Sequence, residues 1–183
     1  MHTRITPALF GIVITLGLAA CTQPGQEPEP TSESWSAEQE AEAVRAATQA
    51  VRDYYHVTAQ CLSDPPNTDP SCLERVSMDA QLENDKIALE YFREHGIHMI
   101  GEVEVVGDLE IVEVRLFRGV GEVDEITFSI CSDATRYDWI GPDGTSVTPS
   151  HGPQRGRSTH IVRKWTDTWK VSETLDPEGA AEC

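Results

Sequence analysis

The chain has 183 residues, and its 31 acidic against 14 basic side chains give a formal net charge of −17 at neutral pH. Nucleic-acid binding needs clustered cations that neutralise phosphates, so this composition excludes nucleic acid as an expected partner. The sequence contains no C-x-x-C motif and no Cys/His ligand cluster, and we therefore expect no metal site and no cofactor.

The first twenty residues have the layout of an export signal. Arg4 provides a short positive region, and the apolar run from Ala8 to Leu18 is too short to cross a bilayer comfortably. Two small residues then precede a cysteine, in the order Leu18-Ala19-Ala20-Cys21. This segment resembles the lipobox of bacterial lipoproteins. The resemblance implies cleavage between Ala20 and Cys21 and a diacylglyceryl group on the Cys21 thiol.

The predicted lipid anchor defines the organisation of the chain. Residues 1–20 are the signal peptide, residues 21–35 are a lipidated N-terminus and a disordered Pro/Glu/Ser tether, and residues 36–183 are a single domain. We expect the protein on the extracytoplasmic face of the cell membrane, held there through its lipid. An ordinary secretory signal with an incidental cysteine and a permanent transmembrane anchor are the alternatives.

Four cysteines remain once Cys21 is set aside. An even number in an exported protein indicates disulfides, and four cysteines allow three connectivities. We favour Cys61–Cys72, because the intervening SDPPNTDPS is rich in turn residues. We favour Cys131–Cys183 because a terminal residue frays unless it is tied down.

Two helices are predicted in the first half of the domain. Apolar residues recur at helical spacing from Ser36 to Leu62, Ser36 and Gln39 fit a capping box, and Pro65-Pro66 ends the pattern. A short helical stretch follows at 71–78. The second helix runs from Asp79 to His95 with Gly96 as its C-terminal cap. Its expected core residues are Leu82, Ile87, Leu89, Tyr91 and Phe92.

Alternating patterns then predict strands. Apolar and polar residues alternate from Val103 to Ile111, with a predicted turn at Gly107-Asp108. The alternation shifts by one residue after Ile111, which indicates a β-bulge. Residues 126–130 alternate again, residues 141–144 form a turn, and the segments flanking Asp167 form a hairpin. Helices followed by antiparallel strands predict an α+β fold with N-terminal helices packed on a curved antiparallel sheet.

This order of elements resembles the nuclear transport factor two-like, or ketosteroid-isomerase-like, cone, and more narrowly small actinobacterial lipoproteins with that domain. The resemblance rests on the long helix ending in Tyr54-Tyr55, the passage from Ala88 to Val105, Cys131-Ser132-Asp133, Asp143-Gly144 and Trp169-Lys170-Val171. It implies an apolar pocket between helices and sheet, in which related enzymes carry an acid–base residue. No residue here matches a catalytic motif, so no catalytic role is assigned.

Three sets of residues are candidates for a catalytic, metal-binding or ligand-binding role. Glu94, His95 and His98 could be a proton shuttle or metal pair, although an exposed helix end explains them as well. Asp133, Tyr137 and Asp138 could form an acid–base site, or serve as turn-capping residues. Eight acidic residues in 102–125 and five basic residues in 151–170 could form an anion-binding patch, but cross-strand pairing within one sheet is the preferred interpretation.

We therefore expect a membrane-anchored, non-catalytic binding or accessory domain, whose partner is an envelope protein or a small ligand. A cone enzyme with acid–base residues in its pocket and a carrier of a small apolar molecule are the alternatives. The three hypotheses differ in what they expect to fill the pocket.

Overall fold

A computed structural model describes residues 35–117, 121–148 and 154–175 together with Cys183. Residues Glu33–Cys183 form one compact unit. The predicted signal peptide, Cys21 and nearly all of the tether lie outside the described residues. Within the described part, the structure has no helix with both the length and the apolar character needed to cross a membrane.

Helix α1 spans Ala37–Ser63. It begins with the predicted capping box, in which the Ser36 hydroxyl accepts from the Gln39 backbone N–H at 3.2 Å and the Gln39 side chain accepts from the Ser36 N–H at 3.0 Å. The chain then turns into 3-10 segments at Pro65–Asn67 and Pro70–Arg75, the second of which is the predicted short helical stretch. The predicted helix and its end at the prolines are confirmed.

Helix α2 spans Asp79–His95, and Gly96 ends it in a left-handed conformation at φ 64°. The bounds are confirmed, but the predicted core is only partly right. Leu89 and Phe92 are 1% exposed, whereas Ile87 and Tyr91 are 62% and 48% exposed. The inward stripe of α2 instead continues through two polar residues, Gln81 and Asp85.

The described part of the chain has six strands, and all of them come after α2. They are β1 His98–Ile100, β2 Glu104–Arg115, β3 Glu125–Asp133, β4 Asp138–Ile140, β5 Arg155–Trp165 and β6 Thr168–Leu175. Strands β2, β3, β5 and β6 form a curved antiparallel sheet in the order β2-β3-β5-β6, and β1 pairs with β4 in a small second sheet. The predicted α+β fold is therefore confirmed.

Strand β2 corrects one prediction and confirms another. Gly107 and Asp108 do not form a turn, because β2 runs through them with a register irregularity between Val106 and Glu110. A positive φ of 71° at Gly107 lets the strand bend there without ending. The pairing shifts again between Ile111 and Glu113, where the slip in the sequence predicts a bulge.

The main core lies between α1 and the curved sheet. Ile126, Phe128 and Ile130 point to one side of β3 and are at most 1% exposed. They meet Ala47 and Val51 of α1, which are 0% exposed. Small residues on this face of α1 let the helix approach the sheet closely, and the alternation in β3 supplies the bulk.

Two disulfides cross-link this domain. Cys61 at the end of α1 is bonded to Cys72, and Cys131 of β3 is bonded to the terminal Cys183. Both are the pairings that the sequence favours. The first closes the proline-rich loop after α1, and the second ties the last residue of the chain to the central part of the sheet.

Candidate functional site

A buried polar cluster joins the two helices. The Tyr54 hydroxyl of α1 donates to Asp85 Oδ1 at 3.0 Å, and Gln81 Nε2 donates to the Tyr54 oxygen at 2.7 Å and to Asp85 Oδ1 at 2.8 Å. All three residues are at most 8% exposed. The cluster explains why two polar residues occupy the inward stripe of α2, since each satisfies a hydrogen bond of the others.

Burial governs the protonation of this cluster. It raises the pKa of Asp85 above its ordinary value, and the polar side chains of Ser77, Gln81 and Tyr54 oppose this effect. Burial and the neighbouring Asp85 carboxyl raise the pKa of Tyr54 well above 10, so the phenol stays protonated. The Ser77 hydroxyl donates to the Leu73 carbonyl at 3.1 Å. Within the described residues, Asp85 Oδ2 is buried and accepts no hydrogen bond of normal geometry.

A second buried polar group, His160 of β5, lies under α1. Its Nε2 is 3.0 Å from the Tyr55 hydroxyl and 3.2 Å from Ser158 Oγ, and its Nδ1 is 3.3 Å from Thr174 Oγ1. The side chain is 0% exposed, and burial lowers the pKa of His160 to about 4. The imidazole is therefore neutral at pH 7 and is held by three hydroxyls rather than by a charge.

A cavity of about 180 Å³ lies where α1, α2 and the small β1–β4 sheet meet. Its wall is mostly aromatic and aliphatic and contains no charged side chain. The lining residues are Tyr54, Tyr55, Thr58, Ala59, Leu62, Ala88, Phe92, Met99, Val103, Tyr137 and Trp139. Because no single element encloses it, the cavity exists only when the two helices and the small sheet are assembled.

Two polar atoms of residues in this wall are buried behind its surface. Thr58 Oγ1 and Trp139 Nε1 are closed to a water-sized molecule, and neither makes a hydrogen bond of normal geometry in the described part of the chain. The Trp139 side chain lies close enough to the Tyr137 phenol to oppose the rise in its pKa. The surface that the cavity presents is therefore mostly apolar.

The indole of Trp139 is held from several sides. Trp139 pairs with Met99 across the small sheet, and the Trp139 backbone N–H donates to Thr148 Oγ1 at 2.7 Å. The ring packs edge-on against Phe92 at 5.0 Å between centroids and against Tyr137 at 6.2 Å. These contacts fix the orientation of the indole ring.

A polar groove of about 300 Å³ adjoins the cavity, and Tyr55 and Val103 line both. On its far side, His56 Nδ1 lies 2.9 Å from Glu102 Oε2, and Arg52 donates to the carbonyls of Val105 and Gly107.

The structure separates the histidines that sequence reasoning singled out. His95 ends α2, where its ring stacks on Tyr91 at 4.1 Å and its Nδ1 lies 2.8 Å from the Tyr91 carbonyl oxygen. His98 belongs to β1 and pairs with Ile140. Neither these residues nor Glu94 belong to a cluster of three potential metal ligands, and the described residues contain no such cluster.

Asp133, Tyr137 and Asp138 also serve separate tasks. Hydrogen bonds from Thr135 and the guanidinium of Arg155 lower the pKa of Asp133 to about 2. Hydrogen bonds from Ser146 and Thr148 lower the pKa of Asp138. Burial raises the pKa of Tyr137 to about 12. Both carboxylates are thus held ionised by local partners, and of the three residues Tyr137 alone lines the cavity.

The charge asymmetry is explained by pairing within the curved sheet. Arg163 bonds Glu125 at 2.8 Å, and Arg157 bonds Glu110 at 3.0 Å. Glu125 and Arg163 are direct cross-strand partners in the register of β3 and β5. The preferred cross-strand interpretation is confirmed for Glu125 and Arg163, and Arg157 reaches Glu110 within the same sheet, across β3.

Comparison with known proteins gives a likeness of fold. No family profile matches the chain, and no curated protein matches its sequence. The crystal structure of the intermembrane space region of chloroplast protein ARC6 is similar at TM-score 0.51 and 12% identity, covering 73% of this chain and 96% of that one. A solution NMR structure of a designed β-sheet protein aligns at TM-score 0.28 and 14% identity, over 75% and 92% of the two chains. The similarity to the ARC6 region concerns the fold alone. The TM-score with the designed protein is too low for a comparison of folds.

The residues that matter most for the site are largely those that sequence reasoning missed. Gln81 and Asp85 stand four residues apart on the helical face that also carries Leu89, and this spacing was the available signal for their burial. His160 stands two residues before Val162 in a predicted strand, which indicates the inward face. No pattern in the sequence brings Thr58 and Trp139 together.

Proposed function

We propose that this protein is an extracytoplasmic lipoprotein, anchored to the membrane through Cys21, whose domain is a non-catalytic binding module for a small and largely apolar ligand. The observation that carries the proposal is the aromatic-lined cavity between the helices and the small sheet. A cone-like family membership remains part of the proposal, and the order of helices and sheet is consistent with it.

The size of the cavity suits a ligand. An engineered protein cavity of about 150 Å³ with an apolar lining stays dry and binds benzene. The cavity described here, at about 180 Å³, is slightly larger and has a similar apolar lining. The lining atoms of this space lack packing partners on its open side. A ligand that fills it recovers those contacts.

The buried titratable groups favour binding over catalysis. The buried carboxyl of Asp85 and the buried imidazole of His160 do not line the cavity, and the phenol of Tyr54, which does, is kept protonated by its raised pKa. Asp85 Oδ1 is bonded by Tyr54 and Gln81, and His160 lies among three hydroxyls. A general acid or base must lie within hydrogen-bond reach of its substrate, and a ligand in this cavity would not meet either group.

The cysteine count supports the anchor. Of five cysteines, four are in the two disulfides, and Cys21 is the fifth. One acyl chain binds a membrane only marginally, whereas the two chains of a diacylglyceryl group hold a protein stably. A tethered module of this design would bind its ligand close to the membrane surface.

The anchor is tested by cell fractionation of the full chain and of Cys21→Ala. We expect the native protein in the membrane fraction, and the variant either in the soluble fraction or retained as an uncleaved precursor. Mass spectrometry of the native N-terminus should find a lipid on Cys21. A processed Cys21→Ala chain that still sediments with membranes would refute the anchor.

The binding site is tested with toluene and the substitution Ala59→Leu, in the full chain carrying Cys21→Ala so that no detergent is needed. Ala59 lines the cavity, and leucine there fills it. By calorimetry we expect the parent chain to bind toluene with a Kd below about 1 mM, and Ala59→Leu to lose this binding. The control Ala80→Leu, on the exposed side of α2, should bind as the parent does. Equal toluene binding by Ala59→Leu and Ala80→Leu would place the site elsewhere.

A further inference from the structure

We infer that the end of the curved sheet at which α1 begins is a membrane-contacting surface, and that Trp165, Phe117 and Val123 insert there into the interfacial layer of a phospholipid bilayer. This inference rests on the proposed function, because it takes Cys21 to carry a lipid. It adds a second attachment to the anchor and names the side of the domain that faces the membrane. Two observations carry it: three exposed apolar side chains at one end of the sheet, and the place where the tether joins the domain.

Three large apolar side chains are exposed at one end of the curved sheet. Trp165 is 58% exposed, Val123 is 43% exposed and Phe117 is 37% exposed. Each lies two positions beyond the last row of residues that β2, β3 and β5 share. That row consists of Arg115, Glu125 and Arg163. Exposed apolar residues that are grouped in this way mark a surface for a protein or membrane partner.

Asp124 holds the three positions close together. Its Oδ1 accepts a hydrogen bond from the Phe117 backbone N–H at 2.8 Å, and its backbone carbonyl accepts one from the Lys164 N–H at 2.9 Å. Val123 directly precedes Asp124, and Trp165 directly follows Lys164. The segment between β2 and β3 is therefore bonded to the hairpin between β5 and β6, and the three apolar side chains belong to one surface.

The β5–β6 hairpin presents Trp165 from a fixed backbone. Trp165 pairs with Thr168, and its carbonyl accepts from the Thr168 hydroxyl at 3.1 Å and from the Thr166 hydroxyl at 2.6 Å. An indole combines a large apolar surface with a polar N–H, and tryptophan is enriched at membrane–water interfaces for this reason. Trp165 is therefore the residue that contributes most to the membrane contact.

Contacts along α1 show that the helix begins at this same end of the sheet. Arg52, in the second half of α1, donates to the carbonyls of Val105 and Gly107, which lie early in β2. Residues of the first turns of α1, within 37–45, line a groove together with Ile111, which lies further along β2. Helix α1 therefore runs in the opposite direction to β2, and its N-terminus lies toward the end of the sheet where β2 finishes.

The tether consequently keeps this end of the sheet nearer the membrane than the opposite end. Residues 22–34 separate Cys21 from Trp35, where the described chain begins. For the disordered segment that the sequence predicts, chain statistics give a mean span of about 20 Å. Strand β2 has 12 residues and is about 40 Å long. A tether shorter on average than the sheet holds the end to which it is joined close to the bilayer.

The charges around the surface favour apolar insertion over attraction to anionic headgroups. Glu122 and Asp167 are exposed beside Val123 and Trp165, and the whole chain has a formal charge of −17. Anionic headgroups attract basic segments, so they do not provide the driving force here. Apolar insertion needs no lipid charge, and the anchor supplies the high local concentration that makes a weak contact effective. We therefore expect contact with zwitterionic phosphatidylcholine.

The test reconstitutes the lipidated protein, purified from membranes, into phosphatidylcholine vesicles with or without bromine on the acyl chains. Bromine quenches the fluorescence of tryptophans that enter the bilayer. We expect brominated lipid to quench part of the emission of the four tryptophans in the native protein. In Trp165→Phe, which keeps an aromatic ring but removes the reporting indole, the quenched fraction should fall about twofold or more.

Two further substitutions in the Trp165→Phe background locate the contact. Val123→Trp places an indole at the same end of the sheet and should restore the quenching. Tyr91→Trp places one at an exposed position of α2, next to Phe92, which belongs to the same core cluster as Leu62 from the last turn of α1. This position is at the opposite end of the domain, so Tyr91→Trp should restore no quenching. Should Trp165→Phe not fold, the same two substitutions in the native protein give the comparison, and only Val123→Trp should increase the quenching.

The outcomes separate the inference from the proposed function. A native chain that carries no lipid and stays in the soluble fraction would refute the anchor and the inference together. A lipidated protein with equal quenching in the native form and in Trp165→Phe, or with equal effects of Val123→Trp and Tyr91→Trp, would refute the inference while the anchor stands. Shielding of Trp165 from aqueous acrylamide without quenching by brominated lipid would assign the surface to a protein partner, and would also overturn the inference.

Discussion

His160 and Asp85 are buried titratable residues that make the free energy of unfolding depend on pH in opposite directions. Burial disfavours the charged form of each, so it lowers the pKa of His160 to about 4 and raises that of Asp85. The unfolded chain protonates His160 near pH 6.5, where the folded protein does not, and stability is therefore lost as pH falls. For Asp85 the folded state holds the proton more firmly, and stability is lost as pH rises through its folded pKa.

The effect of His160 can be isolated with His160→Gln. Because the folded pKa is about 4, the native chain should lose up to about 3 kcal/mol of unfolding free energy between pH 6.5 and pH 4 that the variant does not lose. Urea denaturation at several pH values measures this. His95→Gln, which removes an exposed histidine at the end of α2, is the control and should follow the native curve. Parallel curves for the native protein and His160→Gln would contradict the account.

At the scale of residues, sequence reasoning succeeds where hydrophobicity and position agree. Ile126, Phe128 and Ile130 alternate in the sequence and are buried in β3. It fails in α2, where apolar Ile87 is exposed and polar Asp85 is buried. The failure has a physical cause: Asp85 can be buried because Tyr54, 31 positions earlier in the chain, donates to it. A pairing so distant in sequence is not contained in local periodicity.

At the scale of elements, the close approach of two loops holds the cavity wall together. Gly101 follows β1 with φ 68°, and a Cβ added there would lie 1.7 Å from the Arg136 carbonyl oxygen. This contact joins the segment carrying Met99 and Val103 to the segment carrying Tyr137 and Trp139. Glycine is needed here both for its backbone conformation and for the space it leaves.

A matched pair of substitutions tests this contact. Gly107 has nearly the same conformation, at φ 71°, but no atom lies within 4 Å of an added Cβ. Gly107→Ala should lower the unfolding free energy by about 1–2 kcal/mol, the cost of a left-handed alanine. Gly101→Ala should cost at least about twice that, because the backbone must also move. It should weaken toluene binding as well, whereas Gly107→Ala should not. Equal losses would show that the loop contact is unimportant.

The bounds of the helices can be predicted from the sequence because local residues mark the helix ends. Ser36 and Gln39 begin α1, the prolines after it end it, and Gly96 ends α2. Strand β2 was harder, since Gly107-Asp108 is typical of a turn. The strand continues there because β3 supplies hydrogen bonds on both sides of the irregularity. Tertiary pairing thus overrides a local turn preference.

At the scale of the whole molecule, the proposed function depends on a cavity that no segment of the sequence encodes alone. The cavity needs α1, α2 and a two-stranded sheet whose strands lie about 40 positions apart, at His98–Ile100 and Asp138–Ile140. The resemblance to cone-like domains implied a pocket between helices and sheet. It does not imply which residues line that pocket, since their positions follow from packing.

The central claim of the proposal is that a small apolar aromatic molecule binds between α1, α2 and the small β1–β4 sheet. The most direct measurement is a crystal structure of the full chain with Cys21→Ala and bound bromobenzene, using the anomalous signal of bromine to locate the ligand. The account predicts a single bromine peak inside the cavity. A bromine peak outside the cavity would contradict it.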